Sequence, residues 1–394
     1  MENVNFHTEN GVLTICLSGH IDSANSAQVE NEINRIREEN PAESVVIDCE
    51  KLEYISSAGL RIILRVKKAV PDTKAVNVGN EIYEVFEMTG FTEMMDIQKA
   101  YRVISVEGCE AIGRGANGKV YRIDPDTIVK VYLNPDALPE IQRERELARS
   151  AFVLGIPTAI PYDVVRIEGG GYGSVFELLN AKSLAQLLVK GEKSVDEIAE
   201  MAVALLKQIH STVVKPDSMP DMKAVALDWA EFLKDYLEED QYRKLSGLIA
   251  AVPDDNHMMH GDYHIKNVML QNGEVLLIDM DTLCRGNPVF ELASMFNAYQ
   301  GFSSVDESVI KNFLGIDRST GEELWNKQLR LYFEGRDEAE IKKIEEKAML
   351  IGFTRIMRRS IRRGGLDDEK ERKLIDFCRE RIADLLQRID TLEL

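Results

Sequence analysis

The second half of the chain reads His260-Gly261-Asp262-Tyr263-His264-Ile265-Lys266-Asn267, and the apolar run 275–278 that follows ends in Asp279. Asp262, Asn267 and Asp279 carry hard oxygen atoms, which Mg²⁺ takes from proteins a few at a time. A carboxylate such as Asp262 can also accept or hold the proton of a substrate hydroxyl. We therefore expect Asp262 to act as a base, and Asn267 and Asp279 to bind a metal ion.

Three histidines in and beside this stretch allow a second interpretation. His257, His260 and His264, together with Asp262, superficially resemble a cluster of zinc ligands. Gly261 interrupts the helical register that such ligands would need, and no cysteine lies nearby, so magnesium is preferred. His260 would then orient the loop through hydrogen bonds, while His264 would either contact phosphate or fill the loop.

A glycine-rich segment lies upstream, in the order that the same chemistry requires. Gly113, Gly115 and Gly118 would let the backbone come close to a polyphosphate, where side chains would clash. Val120 would cover the adenine, and Lys130 in the next strand would hold the α and β phosphates of ATP. Dinucleotide binding is disfavoured, because its fingerprint needs a helix after the loop and this loop runs into a strand. A simple turn and a solvated lysine are the plain alternatives.

The residues after the lysine complete the predicted nucleotide site. Glu144 and Glu146 are both candidates for the acidic partner of Lys130, but they are two residues apart and cannot share a helix face. Arg143-Glu144 resembles the R-E motif that kinase-like proteins have at the partner position, and this resemblance favours Glu144. Further along, an apolar strand leads to a predicted hinge, where backbone groups near Glu177 to Leu179 would pair with the edge of the adenine.

Together these motifs resemble the aminoglycoside phosphotransferase and choline kinase superfamily over residues 105 to 300. The segments that carry the resemblance, besides 260–267, are Ile278-Asp-Met-Asp281, Gly286-Asn-Pro288 and Glu291-Leu-Ala293. Asn287 and Glu291 stand where the superfamily has aspartates, which affects loop packing more than chemistry. The resemblance implies a two-lobed protein-kinase-like fold, with an N-lobe at 101–180 and a C-lobe at 181–394 whose C-terminal helices recognise the substrate.

The first hundred residues alternate between predicted strands and helices, which indicates a separate α/β domain. Gly19-His-Ile-Asp22-Ser23 and Tyr54-Ile-Ser-Ser-Ala-Gly-Leu-Arg61 resemble the STAS domain of anti-sigma-factor antagonists. Regulated members of that family are phosphorylated on the serine before the glycine, and here that position is Ala58. Ser57 is a candidate phosphosite, because a helix N-terminus accommodates a phosphate. Helix capping alone also explains serines at 56 and 57.

The composition limits the classes of partner. The chain has 394 residues, enough for two or three domains, and its net charge of −19 would repel nucleic acids and anionic membranes. Apolar runs are short and the N-terminus lacks a secretory signal, so no membrane association is expected. Five cysteines without a C-x-x-C pair favour a reduced, cytoplasmic setting.

A basic stripe near the C-terminus stands out against this acidic background. Five arginines recur at helical spacing, namely Arg355, Arg358, Arg359, Arg362 and Arg363. Pairing with acidic neighbours such as Glu345 and Glu346, and stabilisation of a helix C-terminus, are the favoured explanation in so acidic a chain. A site for an anionic substrate or partner is the alternative. A polycationic aminoglycoside would not bind to this stripe.

We therefore expect a multidomain protein, with an α/β STAS-like domain at 1–100 followed by an α+β two-lobed protein-kinase-like domain. Its predicted function is ATP- and Mg²⁺-dependent transfer of a phosphate to a hydroxyl of a small molecule. The STAS domain would regulate this activity or dock a protein partner. Two other functions remain open: a partner-binding regulator whose kinase-like domain senses nucleotide, and a protein kinase that acts on a STAS protein.

Overall fold

The computed structural model describes residues 3–9, 11–115 and 118–394, and the chain forms two compact units. The N-terminal unit comprises Met1–Glu107 and Val164–Tyr172, and the C-terminal unit comprises Gly108–Asp163 and Gly173–Leu394. Ala116 and Asn117, in the middle of the predicted phosphate loop, lie outside the described residues. No helix in the described part of the chain combines the length and the apolar composition that crossing a bilayer would require.

The N-terminal unit is an α/β domain, as predicted. Its elements up to residue 104 are β1 (Val4–Glu9), β2 (Val12–Ile21), α1 (Ser26–Glu39), β3 (Ser44–Ile55), α2 (Ser57–Ala69), β4 (Asp72–Val78), α3 (Asn80–Met88), α4 (Phe91–Met94), β5 (Ile97–Lys99) and β6 (Val103–Ile104). The main sheet has the order β1-β2-β3-β4-β5, in which β1 is antiparallel to β2 and the remaining neighbours are parallel. Alternate residues of β2 and one face of α1 are buried in the same hydrophobic core, because their spacings match the periods of a strand and a helix.

The C-terminal unit begins with a strand-rich part. The next elements along the chain are β7 (Glu110–Arg114), β8 (Gly118–Asp124), β9 (Thr127–Tyr132), α5 (Leu138–Val153), β10 (Asp163–Ile167), β11 (Tyr172–Glu177) and β12 (Lys182–Ser183). Strands β7 and β8 form the predicted hairpin around the glycine-rich turn, and β9 pairs antiparallel with both β8 and β11. Strand β10 pairs in parallel with β6 within the N-terminal unit.

The rest of the C-terminal unit is mostly helical. Its elements are α6 (Leu184–Val189), α7 (Val195–His210), α8 (Met222–Phe232), α9 (Glu239–Ala250), β13 (Met258–Met259), β14 (Val268–Gln271), β15 (Glu274–Leu277), β16 (Cys284–Arg285), α10 (Pro288–Tyr299), α11 (Ser308–Leu314), α12 (Arg318–Tyr332), α13 (Glu338–Arg362) and α14 (Glu369–Arg388). Helix α10 is buried along almost its whole length and packs against α13, which also packs against α14. This packing brings the C-terminal helices to the loop that contains Asp262.

Candidate active site

The segment 260–267 lies between β13 and β14, and its backbone turns sharply at Gly261. This residue has φ +80°, and a Cβ atom there would come within 2.4 Å of the carbonyl oxygen of Thr282. Only glycine fits both the left-handed backbone and the close contact. The Thr282 hydroxyl donates a hydrogen bond to the carbonyl of His260 at 2.8 Å. Thr282 therefore holds the turn by a hydrogen bond as well as by close packing.

A buried carboxylate from α10 holds the backbone of this loop. Glu291 is completely buried and accepts hydrogen bonds from the backbone N–H groups of His260 (2.5 Å), Gly261 (3.1 Å) and Tyr263 (3.4 Å). Burial raises the pKa of the Glu291 carboxyl, but His210, whose Nε2 lies 3.8 Å away, His260 and the Gly261 N–H outweigh it and lower the pKa. Sequence analysis connected Glu291 with loop packing but did not predict that its carboxylate accepts hydrogen bonds from the loop amides.

His260 connects the loop to the strand that carries Asp279. Its Nδ1 accepts from the backbone N–H of Asp262 at 3.3 Å, so the ring proton resides on Nε2, which lies 3.1 Å from the carbonyl oxygen of Ile278 and donates to it. These contacts connect the loop to the end of the strand that precedes Asp279. They also fix the peptide just before Asp279, which itself adopts the left-handed conformation with φ 64° and ψ 64°.

Asp262 is half-buried and lies between two cationic or polar groups. One carboxylate oxygen is 3.5 Å from Nε2 of His264, and the other is 3.9 Å from Nη2 of Arg355. Burial raises the pKa of Asp262, but the hydrogen bond and charge of His264 and the charge of Arg355 outweigh it and lower the pKa. The carboxylate is therefore ionised and can accept a proton or a hydrogen bond. The ring of His264 packs edge-on against Phe313, with centroids 4.9 Å apart.

Asn267 and Asp279 lie at the same end of a strand pair. Asn267 immediately precedes β14, Asp279 closely follows β15, and the two strands are antiparallel. The amide nitrogen of Asn267 donates to the carbonyl oxygen of Asp262 at 3.1 Å, and the Ile278 N–H donates to the Asn267 carbonyl at 3.0 Å. The nitrogen end of the Asn267 side chain is thus engaged, and its oxygen end is the one that can bind a cation.

Lys130 links the strand-rich part of the unit to Asp279. Its Nζ lies 2.9 Å and 3.1 Å from the two carboxylate oxygens of Glu144 and 3.0 Å from Oδ1 of Asp279. Burial lowers the pKa of Lys130, but the charges of Asp279 and Glu144 outweigh it and raise the pKa, so the ammonium stays charged. The hydroxyl of Tyr132, which sequence reasoning missed, also donates to Glu144. Glu146, the other candidate partner, is exposed.

A second aspartate adds negative charge to the same place. Asp281 is half-buried, and burial together with the charge of Asp279 raises its pKa to about 6. Carboxylates that disfavour each other's ionisation would be stabilised by a divalent cation. Oxygen donors of this kind fit Mg²⁺. Among the described residues, no three His, Cys, Asp or Glu side chains are arranged so that they could hold a metal ion, which does not favour the zinc alternative. His257, one member of the alternative zinc set, pairs with Asp255 at 2.5 Å.

The glycine-rich hairpin lies on the same sheet as Lys130. Val120 and Lys130 are cross-strand partners, so their side chains project from the same face. A Cβ atom at Gly118 would meet the carbonyl oxygen of Val131 at 2.4 Å, which explains that glycine by strand packing alone. A Cβ at Gly113 would have ordinary van der Waals room, and the Gly115 N–H closes the turn on the carbonyl of Gly118 at 2.9 Å.

Three of the predicted positions are not joined to this centre. Glu177 is exposed and Leu179 is half-buried, and no hydrogen bond or ion pair among the described residues connects either of them to Lys130, Asp262 or Asp279. Ser57 belongs to the N-terminal unit, where it is exposed at the first position of α2.

Comparison with known proteins agrees with this division of the chain. Residues 108–324 match the phosphotransferase enzyme family, and residues 3–103 match the STAS domain. The first match covers more than half of the chain, so the protein belongs to the phosphotransferase enzyme family and carries a STAS domain at its N-terminus. The sequence-based predictions of both domains, and of a kinase that phosphorylates an alcohol group as the class of enzyme, are confirmed.

Individual proteins similar to each part of the chain belong to the same two groups, anti-sigma factor antagonists and phosphotransferases. Over 91 residues the chain is 37% identical to BtrV of Bordetella bronchiseptica strain RB50, a candidate anti-sigma factor antagonist, covering 22% of this chain and 78% of that protein. A thermostable mutant of aminoglycoside phosphotransferase APH(4)-Ia in its apo form has a TM-score of 0.51 at 13% identity, covering 72% of this chain and 97% of that one. The GDP and kanamycin complex of APH(2")-IIia has a TM-score of 0.50 at 12% identity, covering 77% and 98%. At these identities the two structures establish the fold alone.

Proposed function

We propose that the C-terminal unit transfers the γ-phosphate of ATP to a hydroxyl group of a small molecule. The observation that carries this proposal is the convergence of Lys130, Asp262, Asn267 and Asp279, which come from separate segments of the chain. Membership of the phosphotransferase enzyme family supports it. A variant of APH(4)-Ia of similar fold is described as a ternary complex with AMP-PNP and hygromycin B, that is, with a nucleotide and a small molecule.

Each group has a distinct task in this proposal. Lys130, positioned by Glu144, holds the α and β phosphates, and the backbone at Gly113, Gly115 and Gly118 approaches the phosphate chain. Val120 covers the adenine, whose edge pairs with backbone groups between Glu177 and Leu179. His260 holds the loop in place, and His264 positions the carboxylate of Asp262.

Asn267 and Asp279 would hold Mg²⁺, which neutralises phosphate charge when it is bound. Asp262 accepts the proton of the acceptor hydroxyl, or holds that hydroxyl in line with the γ-phosphate. The lowered pKa of Asp262 suits the second task, because an ionised carboxylate orients a hydroxyl at neutral pH without a change of protonation. The cytoplasm is the compartment that this ATP-dependent activity requires.

The test is transfer of label from γ-labelled ATP to a panel of hydroxyl compounds, with GTP as the alternative donor because the APH(2")-IIia complex contains GDP. We expect ATP-dependent product with the wild-type protein and none with Asp262→Ala or Asp279→Ala. Turnover unchanged in Asp262→Ala would falsify its assignment. Nucleotide binding without transfer to any acceptor would favour the nucleotide-sensing alternative.

For the N-terminal unit we propose a regulatory or partner-docking role, supported by its identity to a candidate anti-sigma factor antagonist. The Ser56 hydroxyl accepts from the backbone N–H of Gly59 at 3.4 Å and caps α2, whereas Ser57 is exposed. Ser57 is therefore the better candidate phosphosite of the two. Mass spectrometry of the wild-type and Ser57→Ala proteins after incubation with ATP tests this assignment, and modification that persists in Ser57→Ala would contradict it.

A further inference from the structure

The basic stripe on α13 begins at the catalytic loop. Arg355 donates through Nη1 to the carbonyl of Gly261 and to the hydroxyl of Ser294, both at 2.9 Å. Its Nη2 lies 3.9 Å from Asp262. The next arginines, Arg358 and Arg359, follow at positions that share this face of the helix. The stripe thus extends outward from the carboxylate to which we assign the acceptor hydroxyl.

Aromatic rings from α8 and from the segment after α10 lie close to these guanidinium groups. Arg355 lies over Trp229 with 5.6 Å to the ring centroid, and two further pairs extend the row: Arg358 over Phe232 at 5.8 Å and Arg359 over Phe302 at 4.9 Å. A cation–π contact of this kind does not use the N–H hydrogen bonds of a guanidinium, so those N–H groups can still donate to an anion. The rings therefore hold the arginines in place without occupying the groups that bind anions.

The acidic partners expected for this stripe are engaged elsewhere. Glu345 accepts from the indole of Trp325 at 2.8 Å, and Glu346 pairs with Arg388 at 2.7 Å. Pairing with these two glutamates, one part of the favoured explanation, is wrong, because both carboxylates contact other helices. The other part, stabilisation of a helix C-terminus, fits the position of Arg359 and Arg362 in the last turn of α13. Among the described residues, no carboxylate lies within 4 Å of a guanidinium nitrogen of Arg358 or Arg359.

Arg358 is half-buried, in surroundings that are unfavourable for an uncompensated charge, whereas Arg359 is exposed and lies close to another arginine, Arg363. The Nε of Arg358 is buried and has no hydrogen-bond partner. Burial, followed by the charge of Arg362, lowers the pKa of Arg358, and burial, followed by the charge of Arg363, lowers that of Arg359. Asp228 and Glu371 act in the opposite direction but are outweighed. A bound anion would relieve this repulsion and satisfy the free donors.

We infer that the acceptor is an alcohol that also carries an anionic group, a phosphate or a carboxylate, bound by the N–H edges of Arg358 and Arg359. This inference rests on the proposed function, because it places the acceptor hydroxyl at Asp262. The hydroxyl oxygen forms a bond to the γ-phosphorus, the bond from that phosphorus to the β–γ bridging oxygen breaks, and ADP leaves. The hydroxyl proton passes to Asp262 or to solvent. A polycationic acceptor would be repelled by the same stripe.

Matched acceptors test this inference. The wild-type protein is assayed with labelled ATP against two series, each of which compares a neutral polyol or sugar with its phosphate ester and its carboxylate: glycerol, glycerol 3-phosphate and glycerate, then glucose, glucose 6-phosphate and gluconate. Kanamycin serves as the polycation. We expect kcat/KM at least about 100-fold higher for one anionic member than for its neutral counterpart, because charge-assisted hydrogen bonds contribute about 1.5–3 kcal/mol each. The phosphate and carboxylate members distinguish the two anions.

Substitutions identify the residues responsible. Arg358→Gln with Arg359→Gln should raise KM for the anionic acceptor at least about tenfold with a smaller change in kcat, and the paired lysine substitutions should recover part of the loss. Lys342→Gln, which removes an exposed charge from the same helix, is the control and should change neither value. A circular dichroism melt of each variant separates loss of binding from loss of folding.

Failure of this inference is distinguishable from failure of the proposed function. Phosphorylation of neutral or cationic members as efficient as that of the anionic ones overturns the anionic acceptor and leaves phosphotransfer intact. An anionic acceptor whose KM is the same in the double glutamine variant overturns the assignment to Arg358 and Arg359. Absence of transfer to every acceptor, with ATP bound, overturns both.

Discussion

Glu291 accepts a hydrogen bond from the backbone N–H of Gly261 at 3.1 Å, although the two residues are separated by 30 positions in the chain. The same carboxylate also accepts from the N–H groups of His260 and Tyr263. These bonds hold the backbone immediately before and after Asp262. The position of the proposed base therefore depends on a buried charge in α10.

Glu291→Gln should destabilise the protein and reduce turnover together. Breaking a buried, hydrogen-bonded charge arrangement by altering one partner typically costs about 3–5 kcal/mol. We expect a fall of that order in the free energy of unfolding of the C-terminal unit, measured by urea denaturation. Glu274→Gln, at an exposed position in β15, is the control. Equal stabilities for the two variants would show that Glu291 does not hold the loop.

The difference in stability between the wild-type protein and Glu291→Gln should depend on pH in a defined direction. The pKa of Glu291 is lower in the folded state than the ordinary value of about 4.3, so its contribution to stability is present above that value and is lost as pH falls through the folded pKa. The stability difference between wild type and Glu291→Gln should therefore be constant near neutral pH and shrink in acid. A difference that grew as pH fell from 5 to 3 would contradict the assigned direction.

Gly261→Ala tests the steric argument for the loop. Gly261 and Gly273 both have positive φ, at 80° and 87°, but only at Gly261 would a Cβ atom meet a carbonyl oxygen, 2.4 Å away. Both alanine variants carry the cost of a left-handed backbone, about 1–2 kcal/mol. We expect Gly261→Ala to lose clearly more stability than Gly273→Ala in thermal or urea unfolding, and to lose turnover. Equal losses would remove the clash with Thr282 from the explanation.

Lys130→Met should weaken nucleotide binding and leave Glu144 as an uncompensated buried carboxylate. We expect ATP affinity, measured by isothermal titration calorimetry, to fall at least about tenfold, since a charge-assisted bond contributes about 1.5–3 kcal/mol. Lys119→Met removes an exposed lysine from the neighbouring strand β8 and is the matched control. Undiminished ATP affinity in Lys130→Met would contradict its assignment to the phosphates.

Asp262→Asn should separate catalysis from nucleotide binding. The amide keeps the size of the side chain but cannot accept a proton, so kcat for the acceptor found in the screen should fall about 10²–10⁴-fold. ATP affinity should change little, because, among the described residues, the side chain of Asp262 contacts His264 and Arg355 and none of the residues assigned to hold ATP or Mg²⁺. Asp240→Asn, at an exposed position in α9, is the control. A loss of ATP binding as large as the loss of kcat would assign Asp262 to the nucleotide instead.

Removal of the divalent cation should abolish turnover, and added Mg²⁺ should restore it. Asn267→Ala removes one proposed oxygen ligand, and Asp279→Asn replaces a charged carboxylate ligand with a neutral amide. The Mg²⁺ concentration for half-maximal activity should therefore rise at least about tenfold in each variant, in line with losses at metal sites. Glu274→Gln again serves as the control. Turnover that persists in excess EDTA would exclude the metal from the reaction.

The local parts of the site follow from the sequence. The spacing from His260 to Asn267 and the apolar run before Asp279 predicted a loop and a strand, and the structure has both. The glycine turn between β7 and β8 follows from residue types, and the choice of Glu144 over Glu146 followed from the resemblance of Arg143-Glu144 to the family's motif. Both are properties of neighbours in the chain. Neither property predicts which distant element packs against a loop.

The functions of Glu291 and Arg355 could therefore not be predicted in the same way. Glu291 was visible only as a departure from an aspartate position, and Arg355 only as one of five arginines on a helical stripe. Their partners were set by the packing of α10 against α13, and the expected partners Glu345 and Glu346 were already engaged with other residues.

The sequence by itself determined the two domains, the order of the phosphate loop, lysine and catalytic loop, and the chemical types of side chain at the site. Tertiary structure alone decided that a buried glutamate binds the loop amides and that Arg355 of α13 lies beside the proposed base. The physical reason is that hydrogen bonds between residues 30 or 94 positions apart depend on how whole helices pack, which no local pattern of residues specifies.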